Sequence, residues 1–393
     1  MSYTMALEST RKIPFEVERL DRLMEEAGFD VLVLTSKHNV RYMLGGYRFC
    51  MFDYMDAMAL SRYLPIVIYP KGAPEKAAYI ANPNERYEQE ARGFWVETFI
   101  AQARGTIDAM ALCLDHLRSI GLTKSRIGIE AGFLPADAYS LLAREAGGCV
   151  GDCVEVMESL RALKTPSELA RLRSASERIE QSMIETFASI RPGQSRAQIV
   201  ETLRQRQVSC GLIYEYCLIA TGRSLNRSPS DQLVREGDIL SLDSGGNLDG
   251  YIGDICRMGI LGEPTPELED ALAQIDHIQQ VARQPIAPGR IGAEIFVHLC
   301  DLISAPREGR LSFVVHGMGL VSHEAPRLMA NGPIPYPASH REDPLLPGMV
   351  LSIETTWCHP RLGFLKLEDT VAVTEQGWEA FGDNHRGWNR IAV

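Results

Sequence analysis

The sequence has little that would tie it to a membrane, a nucleic acid or an oxidising compartment. No run in its 393 residues approaches the roughly 18 apolar residues of a spanning helix. The segment from Met1 to Leu20 holds no apolar stretch of signal-peptide length. The nine cysteines include no CxxC pair, and the nearest two, Cys149 and Cys153, are too far apart for a redox motif. They read as reduced, mostly buried thiols, and a cytoplasmic protein is expected. Basic surplus is absent as well: 40 Lys plus Arg stand against 51 Asp plus Glu, a net charge of -11. A field of that sign repels phosphates and anionic lipid, so neither nucleic acid nor a membrane surface is an expected partner. What is present is an ordinary globular mixture, 45% hydrophobic and 23% charged, at a length that suggests two domains. The acidic excess is either plain solubility or a set of carboxylates gathered for a cation.

The first part of the chain alternates helical and strand patterns. Phe15 to Ala27 has a helical period closed by Gly28; Asp30 to Thr35 and Leu64 to Tyr69 read as buried strands. Thr106 to Ile120 and Pro135 to Ala146 read as helices around a short strand, Arg126 to Glu130. This order predicts an α/β domain with partly parallel pairing. Thr165-Pro166-Ser167-Glu168 is a capping box with Pro at the first helical position, so a long helix is expected to start there and run to about Ser189. The domains are therefore expected to be 1–160 and 161–393. Within the second, Ile190-x-Pro192-Gly193-x-x-x-Ala197-x-Ile199-x-x-x-Leu203 recurs as Ile286-x-Pro288-Gly289-x-x-x-Ala293-x-Ile295-x-x-x-Leu299. Each copy follows a long helix and is expected to open another, which favours two halves related by pseudo-symmetry.

Candidate chemistry lies on the strand-like segments of the second domain. Asp243 and Asp254 flank the turn signal Asn247-Leu-Asp-Gly250, and they face each other if the turn centres between Leu248 and Asp249. Glu354 and Glu368 are placed likewise about Arg361. Opposed like charges among apolar residues are costly unless a cation lies between them. His316 offers an imidazole to the same place, and four carboxylates with one His suit hard or borderline divalent ions, enough for two sharing carboxylates. Taken singly, a carboxylate reads more readily as a solvated surface or turn residue, as Asp249 or Asp369 does here, and a lone strand His as a structural one.

These motifs carry a resemblance that spans nearly the whole chain. Leu242-Asp243-Ser-Gly245 with Gly250-Tyr251-Ile-Gly-Asp254-Ile-Cys-Arg257, His316-Gly-Met-Gly319 with His323-Glu324, Pro347 to Glu354, and Leu367-Glu368-Asp369-Thr370 resemble the pita-bread superfamily of creatinase, prolidase, aminopeptidase P and methionine aminopeptidase. The resemblance implies an α+β pita-bread catalytic domain with internal pseudo-symmetry, preceded by a smaller α/β creatinase-like N-terminal domain. It implies five metal ligands, Asp243, Asp254, His316, Glu354 and Glu368, holding two divalent ions: manganese first, with cobalt, iron and zinc open. Two metals lower the pKa of a bridging water and polarise the scissile carbonyl; Glu354 would be general base and proton carrier, and His323 would hydrogen-bond the substrate or oxyanion. The expected activity is hydrolysis of a peptide or amide C–N bond in a short peptide or small molecule, most like Xaa-Pro dipeptidase or aminopeptidase P, in a homodimer.

Departures fall on the substrate side. Asn226 and Ser312 stand where peptidases of this family usually carry His, Lys366 where they carry Arg, and Thr355-Thr356 where Pro-Gly follows the glutamate. Asn226 can hydrogen-bond but carries no charge, and Lys366 replaces a planar fork by a point charge. The superfamily's dimethylsulfoniopropionate lyases are similar in their Lys-Leu-Glu-Asp motif. The alternative is therefore a small non-peptide solute, acted on by a creatinase-like or ectoine-hydrolase-like amidohydrolase or by such a lyase. A non-catalytic protein on the same fold is a third reading, against which five intact ligands argue. Tyr47, Arg48 and Phe52, in a segment rich in aromatics and methionine, read either as core or, by resemblance, as lining the pocket of a partner subunit.

Overall fold

A computed structural model describes residues 12–51, 57, 63–147, 149–330 and 337–392. The chain divides into two compact units, Met1–Leu160 and Arg161–Val393.

The first unit is built on a six-stranded mixed sheet of β1 (Val31–Leu34), β2 (Ile66–Pro70), β3 (Ala78–Ala81), β4 (Thr98–Ala101), β5 (Ile127–Ile129) and β6 (Val150–Asp152), in the order β4-β3-β2-β1-β5-β6. β1 pairs antiparallel with β2 and parallel with β5. Both faces are covered, which is why β1 and β2 are continuous apolar runs rather than alternating ones. Leu32, Leu34, Val67 and Tyr69 belong to one core, and Val31, Val33, Ile66 and Ile68 to the other, under α4 (Thr106–Ser119) and α5 (Ala136–Ala146). Around the first core lie α1 (Val17–Ala27), which ends on the left-handed Gly28, α2 (Lys37–Met43) and α3 (Arg86–Arg92). Glu85 is fully buried there and accepts hydrogen bonds from the hydroxyls of Tyr47 at 2.9 Å, Tyr63 at 2.6 Å and Tyr79 at 2.5 Å.

In the second unit, after α6 (Val154–Ala162), the capping box at Thr165 opens α7 (Pro166–Ser189), with Glu168 accepting from the Thr165 amide at 2.7 Å. α8 (Arg196–Ser209) follows on a second capping box, Ser195 with Gln198. An eight-stranded sheet comprises β7 (Ile213–Thr221), β8 (Ile239–Leu248), β9 (Tyr251–Leu261), β10 (Arg310–Gly317), β11 (Val350–His359), β12 (Gly363–Thr374), β13 (Gly377–Phe381) and β14 (Asn389–Ile391). Its main path is β10-β11-β12-β9-β8-β7, so two three-stranded meanders meet where β9 pairs β12. α7 packs against β8 and β9 so closely that a Cβ on Gly253 would lie 2.8 Å from the Ser176 amide nitrogen.

The repeated sequence maps onto this two-fold plan. Gly193 and Gly289 both turn the chain with positive φ, 86° and 82°. The expectation of a second full helix fails. After α9 (Pro266–Arg283), the second copy forms only the short α10 (Glu294–Val297) and α11 (Cys300–Ser304). Ile291 stands where Ser195 caps α8, so α10 begins without a side-chain cap, although Glu294 still accepts from the Ile291 amide at 3.0 Å. No helix among the described residues is long and apolar enough to cross a membrane.

Candidate metal centre

The candidate ligands reach one place because of strand register. The β8–β9 turn is Asp249-Gly250, both with positive φ (51° and 99°), as a two-residue type I′ hairpin requires. The register is therefore Leu248↔Tyr251, Gly245↔Asp254 and Asp243↔Cys256. The expected direct opposition of Asp243 and Asp254 is corrected: they lie diagonally, two residues apart along the ladder. Leucine is disfavoured at positive φ, which is why Asp249 and Gly250, not Leu248 and Asp249, occupy the turn. The shift leaves both carboxylates on the same face, since strand side chains alternate with period two. Glu354 does oppose Glu368, as their placement about Arg361 predicts. Cys256 pairs with Asp243 on one side and Glu368 on the other, so Asp243, Cys256, Glu368 and Glu354 form a row across four strands. His316, opposite Ser352, lies one pair beyond Val314↔Glu354 on that face.

Side-chain contacts close the cluster. His316 Nε2 is 3.1 Å from Glu354 Oε1 and 3.8 Å from Glu368 Oε1, which also accepts from Ser352 Oγ at 2.8 Å. Tyr216 donates its hydroxyl to Asp254 Oδ2. Asp254 Oδ1 is buried and has no hydrogen-bond partner among the described residues. Ligand atoms of Asp254, His316 and Glu368 lie within 4.8 Å of one another, as do those of His316, His323 and Glu354. An orphaned, buried carboxylate oxygen beside a second carboxylate and an imidazole is what a divalent cation would satisfy. The residues fit such an ion.

Electrostatics point the same way. Burial, with Glu368 and Asp243 adding to it, pushes the Asp254 carboxyl well above the ordinary range. Asp243 is raised to about 6, burial outweighing the relief from Lys366 and Arg227. Burial would lower His316, but its hydrogen bonds to Glu354 and Glu368 and their charges raise it to about 10. His323 is lowered to about 4 by burial and by His316, whose ring it stacks at 3.7 Å between centroids. The site thus concentrates negative charge that a cation would compensate.

Comparison with known proteins agrees with this geometry. Residues 170–375 match the model of Metallopeptidase family M24, and residues 16–163 match the Creatinase/Prolidase N-terminal domain. The chain belongs to metallopeptidase family M24. It is 26% identical over 373 residues to the uncharacterized peptidase YqhT of Bacillus subtilis, covering 92% of this chain and 96% of that one. It is 21% identical over 370 residues to the Xaa-Pro dipeptidase of Pyrococcus horikoshii, covering 92% and 95%. The solved Xaa-Pro dipeptidase from Bacillus anthracis shares the fold at a TM-score of 0.77 and 24% identity, covering 96% of this chain and 99% of that one. Dipeptidase PepE from Mycobacterium ulcerans does so at 0.75 and 22%, covering 99% of each. The catalytic unit has the pita-bread fold of these metallopeptidases, and the protein is a metal-dependent hydrolase.

The remaining predicted residues of this M24 chain are placed as follows. His323 is half-buried beside His316, with Nδ1 unpartnered among the described residues. Ser312 is half-buried opposite Thr356 and, by strand alternation, on the ligand face. Asn226 is exposed, its Oδ1 accepting from the Ser228 amide at 3.0 Å, so the side chain shapes its own turn. Tyr47 lies in the core of the first unit with its hydroxyl on Glu85, Arg48 is half-buried, and Phe52 falls outside the described residues. Asp369, expected to be solvated, is corrected: it is 1% exposed on the opposite face of β12. There it meets Arg257 at 3.0 Å, Arg283 at 2.9 Å and Arg386 at 2.5 Å.

Two residues at the centre, Arg227 and Tyr216, were not legible beforehand, and Lys366, read as a departure on the substrate side, lies among the carboxylates. Lys366 places Nζ 2.6 Å from Asp243 Oδ2, 2.6 Å from Glu354 Oε2 and 2.7 Å from Glu368 Oε2. Arg227 donates to Asp243 Oδ2, and Tyr216 holds Asp254. Lys366 had a signal, since it lies two residues from Glu368 on the same strand face. Arg227 lies between strands, where no periodicity reports direction.

Proposed function

We propose that the protein hydrolyses the peptide bond of short Xaa-Pro peptides, in the manner of an Xaa-Pro dipeptidase. Asp243, Asp254, His316, Glu354 and Glu368 are the candidate donors for a divalent cation, manganese being the first to try. The observation that carries this reading is the buried Asp254 Oδ1, unpartnered among the described residues, within a cluster of His316 and carboxylates. A bound divalent ion supplies Lewis-acid polarisation of the carbonyl and a lowered pKa for attacking water.

The chain's own groups supply the rest. Glu354, at 15% side-chain exposure, is more open than Asp243 or Glu368, at 3% and 1%, and is suited to take a proton from water and hand it to the leaving amine. His323, with a ring nitrogen unpartnered among the described residues, would hydrogen-bond the substrate carbonyl as charge develops on its oxygen. We assign residues 161–393 as the catalytic domain and 1–160 as the creatinase/prolidase-like domain. Family resemblance supports a homodimer, and the cysteine usage supports a cytoplasmic location.

A non-peptide solute is the second reading, favoured by Lys366 among the carboxylates and by the exposed, locally bonded Asn226. Assay of the metal-replete protein decides between them. Xaa-Pro dipeptides should be cleaved, and creatine, ectoine-like solutes and sulfonium compounds should not. If every Xaa-Pro dipeptide and Xaa-Pro-started oligopeptide stays intact, the peptidase reading fails.

A further inference from the structure

The positive charge beside the four carboxylates is unevenly distributed. Lys366, 4% exposed, touches Asp243, Glu354 and Glu368 at 2.6–2.7 Å, and its contact with Glu368 Oε2 is an ion pair without a directed hydrogen bond. Arg227 reaches the same Asp243 Oδ2 with its guanidinium held over the Phe364 ring, 4.9 Å from the centroid. Both oxygens of Asp254 are left to other partners: Oδ2 to the neutral Tyr216 hydroxyl and Oδ1 to none among the described residues. The Asp243 end of the site thus carries two tethered cations, while the Asp254–His316–Glu368 end carries no cationic side chain among the described ion pairs other than His316 and the shared Lys366 contact to Glu368.

We propose that this chain binds a single divalent cation tightly, through Asp254, His316 and Glu368, and that Lys366 with Arg227 takes the place of a second ion at the Asp243 side. The inference rests on the metal-dependent reading above and concerns how many ions that site holds. An ammonium is a compact point charge whose one nitrogen fits among three carboxylate oxygens, where a planar guanidinium would not. Being covalently tethered, it is not lost to solvent when free metal is scarce. A second ion would have to expel it from a buried position where its charge is matched, and would be repelled by it until it left.

Metal counting tests this without reference to turnover. Wild type, Lys366→Met and Asp254→Asn are loaded with excess Mn2+ alone, desalted, and measured by plasma mass spectrometry and by electron paramagnetic resonance. Calorimetric unfolding shows that each variant is folded, and Lys366→Gln repeats the test should Lys366→Met fail to fold. Wild type should retain about one ion per chain with the hyperfine pattern of isolated manganese, and Lys366→Met about two with the spectrum of an exchange-coupled pair. Asp254→Asn should retain almost none. Two coupled ions in wild type would overturn the proposal and leave the hydrolase reading intact, as would one ion in both wild type and Lys366→Met. No retained ion in wild type, together with no metal-stimulated peptide cleavage, would overturn the functional reading itself.

Discussion

Replacing Asp369 by asparagine probes how the strand that carries Glu368 is held. Asp369 has one oxygen 3.0 Å from Arg257 and the other 2.9 Å from Arg283 and 2.5 Å from Arg386, with Gln279 donating to it at 2.9 Å. Asparagine keeps the shape but removes the charge, leaving two almost fully buried guanidiniums, Arg257 and Arg283, short of their counter-ion. Breaking a buried pair from one side costs about 3–5 kcal/mol. Asp383, 2.8 Å from Arg283 and 3.0 Å from Arg386, and Asp276, 2.5 Å from Arg386, retain part of the compensation. The lower end, about 3 kcal/mol, is therefore expected, a fall in Tm of roughly 6–12 °C for a unit of this size. Scanning calorimetry in chelating buffer reads this without a contribution from metal. The sign with pH follows from the depressed Asp369 carboxyl: burial would raise it, but Arg257, Arg386 and Arg283 hold it well below the ordinary range. Its stabilisation is complete above the unfolded pKa of about 3.9 and declines as pH falls toward the folded value, so wild type and variant should converge on acidification. A drop below about 2 °C at pH 7, or a difference that does not shrink toward pH 3, would mean that the Asp369 charge does not hold this strand.

Two further perturbations separate the centre from the scaffold. Tyr216→Phe removes the hydroxyl that holds Asp254 Oδ2, and should weaken Mn2+ binding about 10–100-fold by calorimetric titration while the fold is retained. Glu85→Ala leaves the hydroxyls of Tyr47, Tyr63 and Tyr79 without their shared acceptor in the first unit. Tyr63 and Tyr79 still bond each other, so at about 1–3 kcal/mol for each group left short the loss should destabilise that unit by about 2 kcal/mol or more, visible as an earlier denaturant transition.

How much of this was legible in the sequence depends on whether local chemistry or distant partners decide a residue's place. The helix opening at Thr165 was readable because its cap is built from its own neighbours, Pro166 and Glu168. Glu354 and Glu368 were readable as a pair because their hairpin is nearly symmetric about Arg361. The β8–β9 register was missed by two residues because the choice between two candidate turns rests on positive φ at Asp249 and Gly250, a backbone property. Asp369 was misread because the arginines that bury it, Arg257, Arg283 and Arg386, come from distant parts of the chain. Arg227 and Tyr216 escaped for the same reason. The second copy of the internal repeat looked helical because its apolar spacing survives, while the lost hydroxyl at Ile291 leaves its helix short and uncapped.

Cations held by the second unit's carboxylates and His316 are expected to drive hydrolysis of a short peptide. The most direct measurement is the rate of Xaa-Pro dipeptide cleavage by chelator-stripped protein before and after Mn2+ is restored, with Asp254→Asn alongside. Stripped protein should be nearly inactive and regain activity with metal. Asp254→Asn should stay more than about 100-fold below wild type at saturating metal, since a direct donor should matter more than the outer partners whose loss costs about 10–100-fold. Full turnover in stripped protein, or a fully active Asp254→Asn, would mean that hydrolysis does not depend on a cation held at Asp254.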